Sequence, residues 1–114
     1  MSEAARGLAA AMAVEAADDD LSTLDLSGVF ELLSDETRLG IVRELAVVNA
    51  DGSAENGLSF SELRTRVGTR DSGQFNYHLG RLRGNLVEKN GAGYELTELG
   101  LVVGATVLEA ATTA

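Results

Sequence analysis

The chain has 114 residues, the length of one domain, and it contains no cysteine and a single histidine. This composition excludes disulfide bonds, zinc sites built from cysteine and histidine, and cysteine nucleophiles, and it leaves no nucleophile–base pair for an enzyme. No apolar run approaches the roughly 20 residues of a membrane span, and no charged segment precedes the alanine-rich residues 8–17 as in a signal peptide. We therefore expect a cytoplasmic protein without a cofactor.

The net charge of −9 comes with a near absence of lysine, since Lys89 is the only lysine among nine basic residues. Such a composition is typical of proteins that work in molar salt, where carboxylates keep the surface hydrated and salt screens their repulsion. An ordinary acidic protein that binds a basic partner is the alternative.

The charge is also distributed unevenly along the chain. Residues 61–89 hold six basic and three acidic side chains, a net charge of +3, whereas residues 1–60 and 90–114 are both negative. A local positive segment within an acidic chain indicates where a nucleic acid would bind.

The N-terminal extension, residues 1–26, permits two interpretations. Its alanine-rich part favours a helix with Leu8 and Met12 on one face, which would pack across a dimer. The acidic run at 18–20 interrupts the apolar pattern, and the whole extension would then be a flexible tail.

Two helices are predicted next. Ser27 is expected to cap a short helix, and Ser34 or Asp35 a longer one that continues to a polar loop at residues 49–57. Arg38, near the start of the longer helix, is expected to form a structural ion pair, with a phosphate contact as the alternative. The first helix carries Val29, Phe30, Leu32 and Leu33. In the second helix, four apolar residues lie at helical spacing and are expected in the core: Leu39, Val42, Leu45 and Ala46.

The segment from Ser59 onward predicts a helix-turn-helix. Ser59 and Glu62 have the spacing of a capping box, and Gly68 is a natural end for the helix that they open. That helix directs Leu63 and Val67 inward and Arg64 and Arg66 outward. Asp71 or Ser72 caps the second helix after a short turn, and two capped helices joined in this way form a helix-turn-helix.

The second helix, residues 71–84, has two contrasting faces. An apolar stripe should face the core, and on the other side Gln74 can bond adenine, Arg81 can bond guanine, and Tyr77 can contact a phosphate or a thymine methyl group. A solvated amphipathic helix is the simpler alternative. The stripe consists of Phe75, Leu79, Leu82 and Leu86, and the opposite face of Gly73, Gln74, Tyr77, Gly80, Arg81 and Gly84.

A hairpin is predicted over residues 86–96. Alternation and β-branching indicate a strand at residues 86–89, Asn90 and Gly91 form a turn signal, and residues 94–96 return. A hairpin directly after a helix-turn-helix is a wing, and Lys89 and Asn90 near its tip would contact phosphates. A purely structural hairpin is the alternative.

The last helix, capped by Thr97 and spanning residues 98–114, has an apolar stripe that no later segment of the chain can cover. Such a face most simply pairs with a second copy of the chain. The residues expected to form this dimer interface are Leu99, Val102, Val103, Thr106 and Val107, with Ala110 on the same stripe.

In sequence order, residues 29–42, 58–63, 73–82, 86–87 and 94–97 resemble the motifs of ArsR-like winged helix-turn-helix regulators, and residues 73–82 are similar to the recognition helix of haloarchaeal members. The resemblance implies a mainly α fold with a small β-hairpin. It places the winged helix-turn-helix domain at residues 27–97 and the dimer interface on the N- and C-terminal helices.

The function implied by the resemblance is that of a homodimeric, sequence-specific DNA-binding transcription regulator, acting as a repressor. Its recognition helix would lie in the major groove of double-stranded DNA, and its wing on the flanking backbone. The implied base contacts are Gln74, Asn76, Tyr77 and Arg81, and the implied phosphate contacts are Arg70, Ser72 and Lys89.

Three points accompany that resemblance. Metal sensing is not implied, because metal-sensing members use cysteine or clusters of histidine and acidic residues. His78, at the edge of the apolar stripe, is interpreted as a half-buried packing residue that forms a local hydrogen bond. A protein-interaction adaptor is the alternative function, and a further hypothesis is that salt cations bridge the carboxylates to DNA phosphates.

Overall fold

The computed structural model describes residues 25–114, so the two interpretations of the N-terminal extension concern residues almost entirely outside it. Over the described range the chain is mainly helical, with one two-stranded antiparallel hairpin, which is compatible with a winged helix. The elements are α1 (Leu26–Leu33), α2 (Glu36–Asp51), α3 (Phe60–Val67), α4 (Ser72–Leu82), β1 (Val87–Asn90), β2 (Gly93–Leu96) and α5 (Glu98–Thr113).

Helix caps account for most of the predicted helix starts. The capping box is confirmed, since the Ser59 hydroxyl accepts a hydrogen bond from the Glu62 amide at 3.1 Å and the Glu62 carboxylate accepts one from the Ser59 amide at 2.9 Å. Gly68 ends the same helix with a φ of 85°, which favours glycine. Caps are also confirmed at Asp35, Asp71 and Thr97.

Four predicted boundaries were wrong. The second helix of the helix-turn-helix, predicted over residues 71–84, ends at Leu82. Asp25, not Ser27, caps α1, because its carboxylate accepts the Gly28 amide at 2.8 Å. The second helix continues to Asp51, three residues into the predicted loop, before it ends at a left-handed glycine. The hairpin turn lies one residue later than expected, because Asn90 still pairs with Gly93 in the ladder.

The core surrounds α2, which packs against α1, α3, α4, α5 and β2. Phe75, Leu79 and Leu82 are at most 1% exposed, which confirms the apolar stripe of α4 over these three positions. Leu86 is also buried, but it lies beyond the end of the helix at Leu82, so its predicted place on this stripe was wrong. One core prediction was wrong, because Leu39 of α2 is 38% exposed. Phe30 of α1, for which no place in the core was predicted, is 61% exposed.

The last helix is covered in part by the chain itself, which the sequence analysis did not anticipate. Val103, one of the residues expected in a dimer interface, is 1% exposed and lies in the core of the single chain. Glycines allow this close packing: a Cβ at Gly104 would lie 2.9 Å from the Cβ of Ala46, and one at Gly100 would overlap the carbonyl oxygen of Leu86. No helix in the described part of the chain is long and apolar enough to cross a membrane.

Candidate nucleic-acid interface

The outer face of α4 is open and polar. Gln74 and Tyr77 are exposed there, Tyr77 to 58%, and Asn76 is exposed on the flank of the same helix. A Cβ at Gly80 would meet no other atom of the described residues within 4 Å, so nothing in residues 25–114 covers this part of the helix. The opposite face is buried against α2, and α4 therefore presents its polar side chains on a fixed support.

Arg81 lies at the edge of this face and contacts two neighbours. Its Nη2 donates to Oε2 of Glu31 in α1 at 3.1 Å, and its Nη1 donates to the Tyr77 hydroxyl at 3.4 Å. The hydrogen bond to Tyr77 and the negative charge of Glu31 together raise the pKa of Arg81 above its already high value. Sequence reasoning missed Glu31, because 50 residues separate it from Arg81 and no local pattern joins them.

Arg38 is a buried structural residue. Arg38 is only 6% exposed. Its Nε donates to the Leu32 carbonyl at 2.7 Å, and its Nη2 donates to the Glu31 carbonyl at 3.4 Å. Its Nη1 lies 2.9 Å from Nδ1 of His78. The preference for a structural role is confirmed, but the partners are carbonyls and an imidazole rather than the predicted carboxylate.

His78 is packed as expected, with 12% of its side chain exposed, although its hydrogen-bond partner is 40 residues away and not local. Its Nδ1 is also 3.6 Å from the Asp35 carboxylate. Burial would raise the pKa of Asp35, but hydrogen bonds from the Arg38 and Thr37 amides and the positive charge of Arg38 outweigh it, so this pKa is lowered.

The predicted phosphate contacts at the start of α4 are exposed. Arg70 and Ser72 lie on the turn and in the first helical turn, and Arg64 of α3 donates from Nη1 to the Arg70 carbonyl at 3.4 Å. An open cleft of about 350 Å³ beside them is lined by Arg64, Thr65, Gly68, Thr69 and Arg70. Arg64 is thus brought to the same surface, which its outward position on α3 could have indicated.

Lys89 lies on β1 rather than at the hairpin tip. It is paired with Tyr94 in the ladder, and its Nζ is 5.7 Å from the centre of that ring. The guanidinium of Arg83, directly after α4, is 5.9 Å from the same ring. Two cations therefore lie over one buried aromatic ring between α4 and the hairpin, an arrangement in which each is favoured by the ring's negative face.

Comparison with known families gives one match. The model of a family described as "Domain of unknown function (DUF7347)" matches residues 27–107, more than two thirds of the chain. The chain belongs to this family. No curated protein matches the chain, and neither does any solved structure. The DUF7347 match includes α2, α3, α4 and the hairpin in full, and it ends within α5.

Proposed function

We propose that this DUF7347 protein is a homodimeric, sequence-specific DNA-binding regulator of transcription, of the ArsR-like winged helix-turn-helix type. Its recognition helix is α4, which lies in the major groove, and its hairpin lies against the flanking backbone. The single observation that supports this most strongly is the outer face of α4, where Gln74 and Tyr77 are exposed while the other face is fixed in the core; Asn76 is exposed on the flank of the same helix.

The exposed side chains of α4 have the chemistry of base readout. Gln74 and Asn76 can each form two hydrogen bonds with adenine, and Arg81 can do so with guanine. Tyr77 offers a hydroxyl for a phosphate or an apolar ring edge for a thymine methyl group. Each good bidentate pair contributes about 1–3 kcal/mol of discrimination between bases.

The phosphate contacts fit the positive segment of the chain. Arg70 and Ser72 are exposed at the start of α4, where backbone amides of the first turn also favour an anion. Lys89 is exposed on β1 and would meet the backbone beside the groove. Arg64 joins them, because its side chain lies over the turn that holds Arg70.

The dimer is proposed to form through the half-buried side of α5. Leu99, Val102, Thr106 and Val107 are half-buried, and Leu99 and Val107 also pack against the core of the same chain. Leu101 is 41% exposed on the same helix. A dimer with two-fold symmetry would place its recognition helices in successive major grooves, roughly 34 Å apart.

The second candidate function is that of a protein-interaction adaptor in a transcription complex. It is favoured by exposed apolar side chains away from α4, since Phe30 is 61% exposed and Leu26 is 46% exposed, one helical turn apart on α1. The overall charge of −9 also repels DNA at low salt.

The deciding experiment is fluorescence anisotropy with a labelled duplex from upstream of the protein's own gene, compared with a scrambled duplex. It is made in about 2 M KCl, because surface charge is then screened. Preferential binding of the native duplex, with two subunits per site, supports the regulator. Equal binding of both duplexes, or none, contradicts it and favours the adaptor.

A further inference from the structure

The guanidinium of Arg81 is held from two sides. Both carboxylate oxygens of Glu31 accept from its Nη2, at 3.1 and 3.4 Å, and the Tyr77 hydroxyl accepts from its Nη1. A guanidinium has five N–H donors, so contacts with these two partners leave donors for a base edge. Arg81 is therefore both restrained and still able to bond.

The position of Glu31 depends on buried hydrogen bonds, not on the exposed pair alone. Arg38 bonds the carbonyls of Glu31 and Leu32 at the end of α1, and it also bonds His78 on α4. His78 and Arg81 are three residues apart on α4 and are neighbours on its surface. The end of α1 is thus fixed against the same part of α4 that holds Arg81.

We propose that Glu31 is a positioning residue for base readout, which holds the Arg81 guanidinium in the orientation that meets a guanine. The inference rests on the proposed DNA-binding function. Arginine has many rotamers, and restricting them before binding reduces the entropy lost on complex formation. An exposed ion pair contributes little to folding, so the carboxylate's main effect would be on binding.

The opposite role for Glu31 predicts the opposite change in specific binding. If Glu31 instead held Arg81 away from DNA, removing the carboxylate would strengthen specific binding. Removing it also lowers the repulsion of every phosphate, which strengthens binding to all duplexes alike. The informative quantity is therefore the ratio of affinities for a selected and a scrambled duplex, because the common electrostatic contribution cancels in it.

The experiment uses the full chain as wild type, Glu31→Gln, Arg81→Ala and the double variant, with Glu55→Gln as the control. Glu55 is an exposed glutamate in the loop after α2, so its variant makes the same charge change elsewhere. The wild type first selects its preferred site from a pool of duplexes with randomised centres. Affinities are then measured for that duplex, for a scrambled one, and for duplexes with each base pair replaced in turn, and thermal unfolding checks that each variant is folded.

We expect Glu31→Gln to lower the affinity ratio about threefold to fivefold, the size of effect that an exposed ion pair can exert. The loss should fall on the same base pair whose replacement no longer matters to Arg81→Ala, and the double variant should lose no more than Arg81→Ala alone. Glu55→Gln should keep the wild-type ratio.

Two other results would overturn the inference while leaving the proposed function intact. One is an unchanged or increased ratio in folded Glu31→Gln, and the other is a loss spread evenly over all base pairs. If the folded wild type selects no sequence from the pool, the proposed function is wrong, and the positioning role of Glu31 is wrong with it.

Discussion

Nη1 of Arg38 lies 2.9 Å from Nδ1 of His78, and this hydrogen bond joins α2 to the proposed recognition helix. Since the guanidinium can only donate, Nδ1 accepts, and the proton of the neutral imidazole is assigned to Nε2. The same arginine bonds two carbonyls at the end of α1. One buried side chain therefore connects three helices.

Replacing this arginine should destabilise the fold. In Arg38→Met, the Leu32 carbonyl and Nδ1 of His78 lose a donor, whereas the Glu31 carbonyl still accepts from the amide and hydroxyl of Ser34. Buried groups left unsatisfied cost about 1–3 kcal/mol. We expect the urea concentration at the midpoint of unfolding to fall, while the slope of the unfolding free energy against urea concentration stays unchanged. Arg43→Met is the matched control, because Arg43 is exposed on the same helix. Equal midpoints for the two variants would contradict the structural role of Arg38.

Acid should remove a contribution made by Asp35. Its pKa is lowered in the folded protein, because hydrogen bonds from the Arg38 and Thr37 amides and the positive charge of Arg38 outweigh the effect of burial. A carboxyl group whose folded pKa is depressed stabilises the fold above its unfolded pKa, and this stabilisation is lost as the pH falls through the folded value.

The measurement compares the urea stability of wild type and Asp35→Asn between about pH 6 and pH 3. Asparagine is also a good N-cap, so this variant keeps the cap of α2 and removes only the charge. We expect the wild type's advantage to shrink as the pH falls below about 4, near the unfolded pKa of aspartate. A difference that is constant with pH would show that the charge of Asp35 contributes nothing.

The sequence predicted the features that are determined by residues close together in the chain, and it did not predict the contacts between residues far apart in the chain. Capping residues such as Ser59, Asp71 and Thr97 act within three residues, and the stripe of α4 repeats within one helix, so local patterns were sufficient. The pairs Glu31–Arg81 and Arg38–His78 join residues 50 and 40 positions apart. No periodicity or motif within one segment contains such pairs.

The packing of α5 against the core of its own chain was not predicted from the sequence, for a related reason. Glycine has no side chain and does not add to an apolar stripe, yet Gly100 and Gly104 are the positions where α5 approaches Leu86 and Ala46 most closely. Counting apolar residues therefore indicated a helix without a partner in the chain. The structure shows a helix with one side in the core and a half-buried side beside it.

A substitution on the half-buried side of α5 should weaken the proposed dimer without unfolding the chain. Val102→Glu should weaken self-association at least tenfold, roughly 1.4 kcal/mol, because it places a charge in the proposed interface. The chain should remain folded, because Val102 lies outside the buried core. Sedimentation equilibrium gives the dissociation constant, with Ala105→Glu, on an exposed position of the same helix, as the control. A dimer unaffected by Val102→Glu would exclude this side of α5 as the interface.

Base and phosphate contacts should respond differently to substitution. Gln74→Ala should cost about 1–3 kcal/mol of affinity for the selected duplex and little for a scrambled one, because it removes a base contact. Lys89→Ala should weaken binding to both duplexes by a similar factor, because phosphates are present in every sequence. Anisotropy titrations of both variants with both duplexes check this. Loss of specificity in Lys89→Ala together with normal specificity in Gln74→Ala would reverse the two assignments.

The dependence of binding on salt tests whether cations take part in the complex. Phosphate contacts ordinarily release counterions, so affinity falls as salt rises. The net charge of −9 favours the opposite dependence of affinity on salt. On the hairpin, Glu88 pairs directly with Glu95 and is one residue from Lys89. Carboxylates held beside DNA phosphates would take up cations on binding, and affinity would then rise with KCl.

We therefore expect a positive slope of log affinity against log KCl concentration up to about 2 M, the reverse of the usual sign. Glu88→Gln should reduce that slope, because it removes a carboxylate from the hairpin, which is proposed to lie against the DNA backbone. Glu109→Gln, near the far end of α5, makes the same charge change away from that surface and should leave the slope unchanged. The ordinary negative slope up to molar KCl would show that no cation uptake accompanies binding.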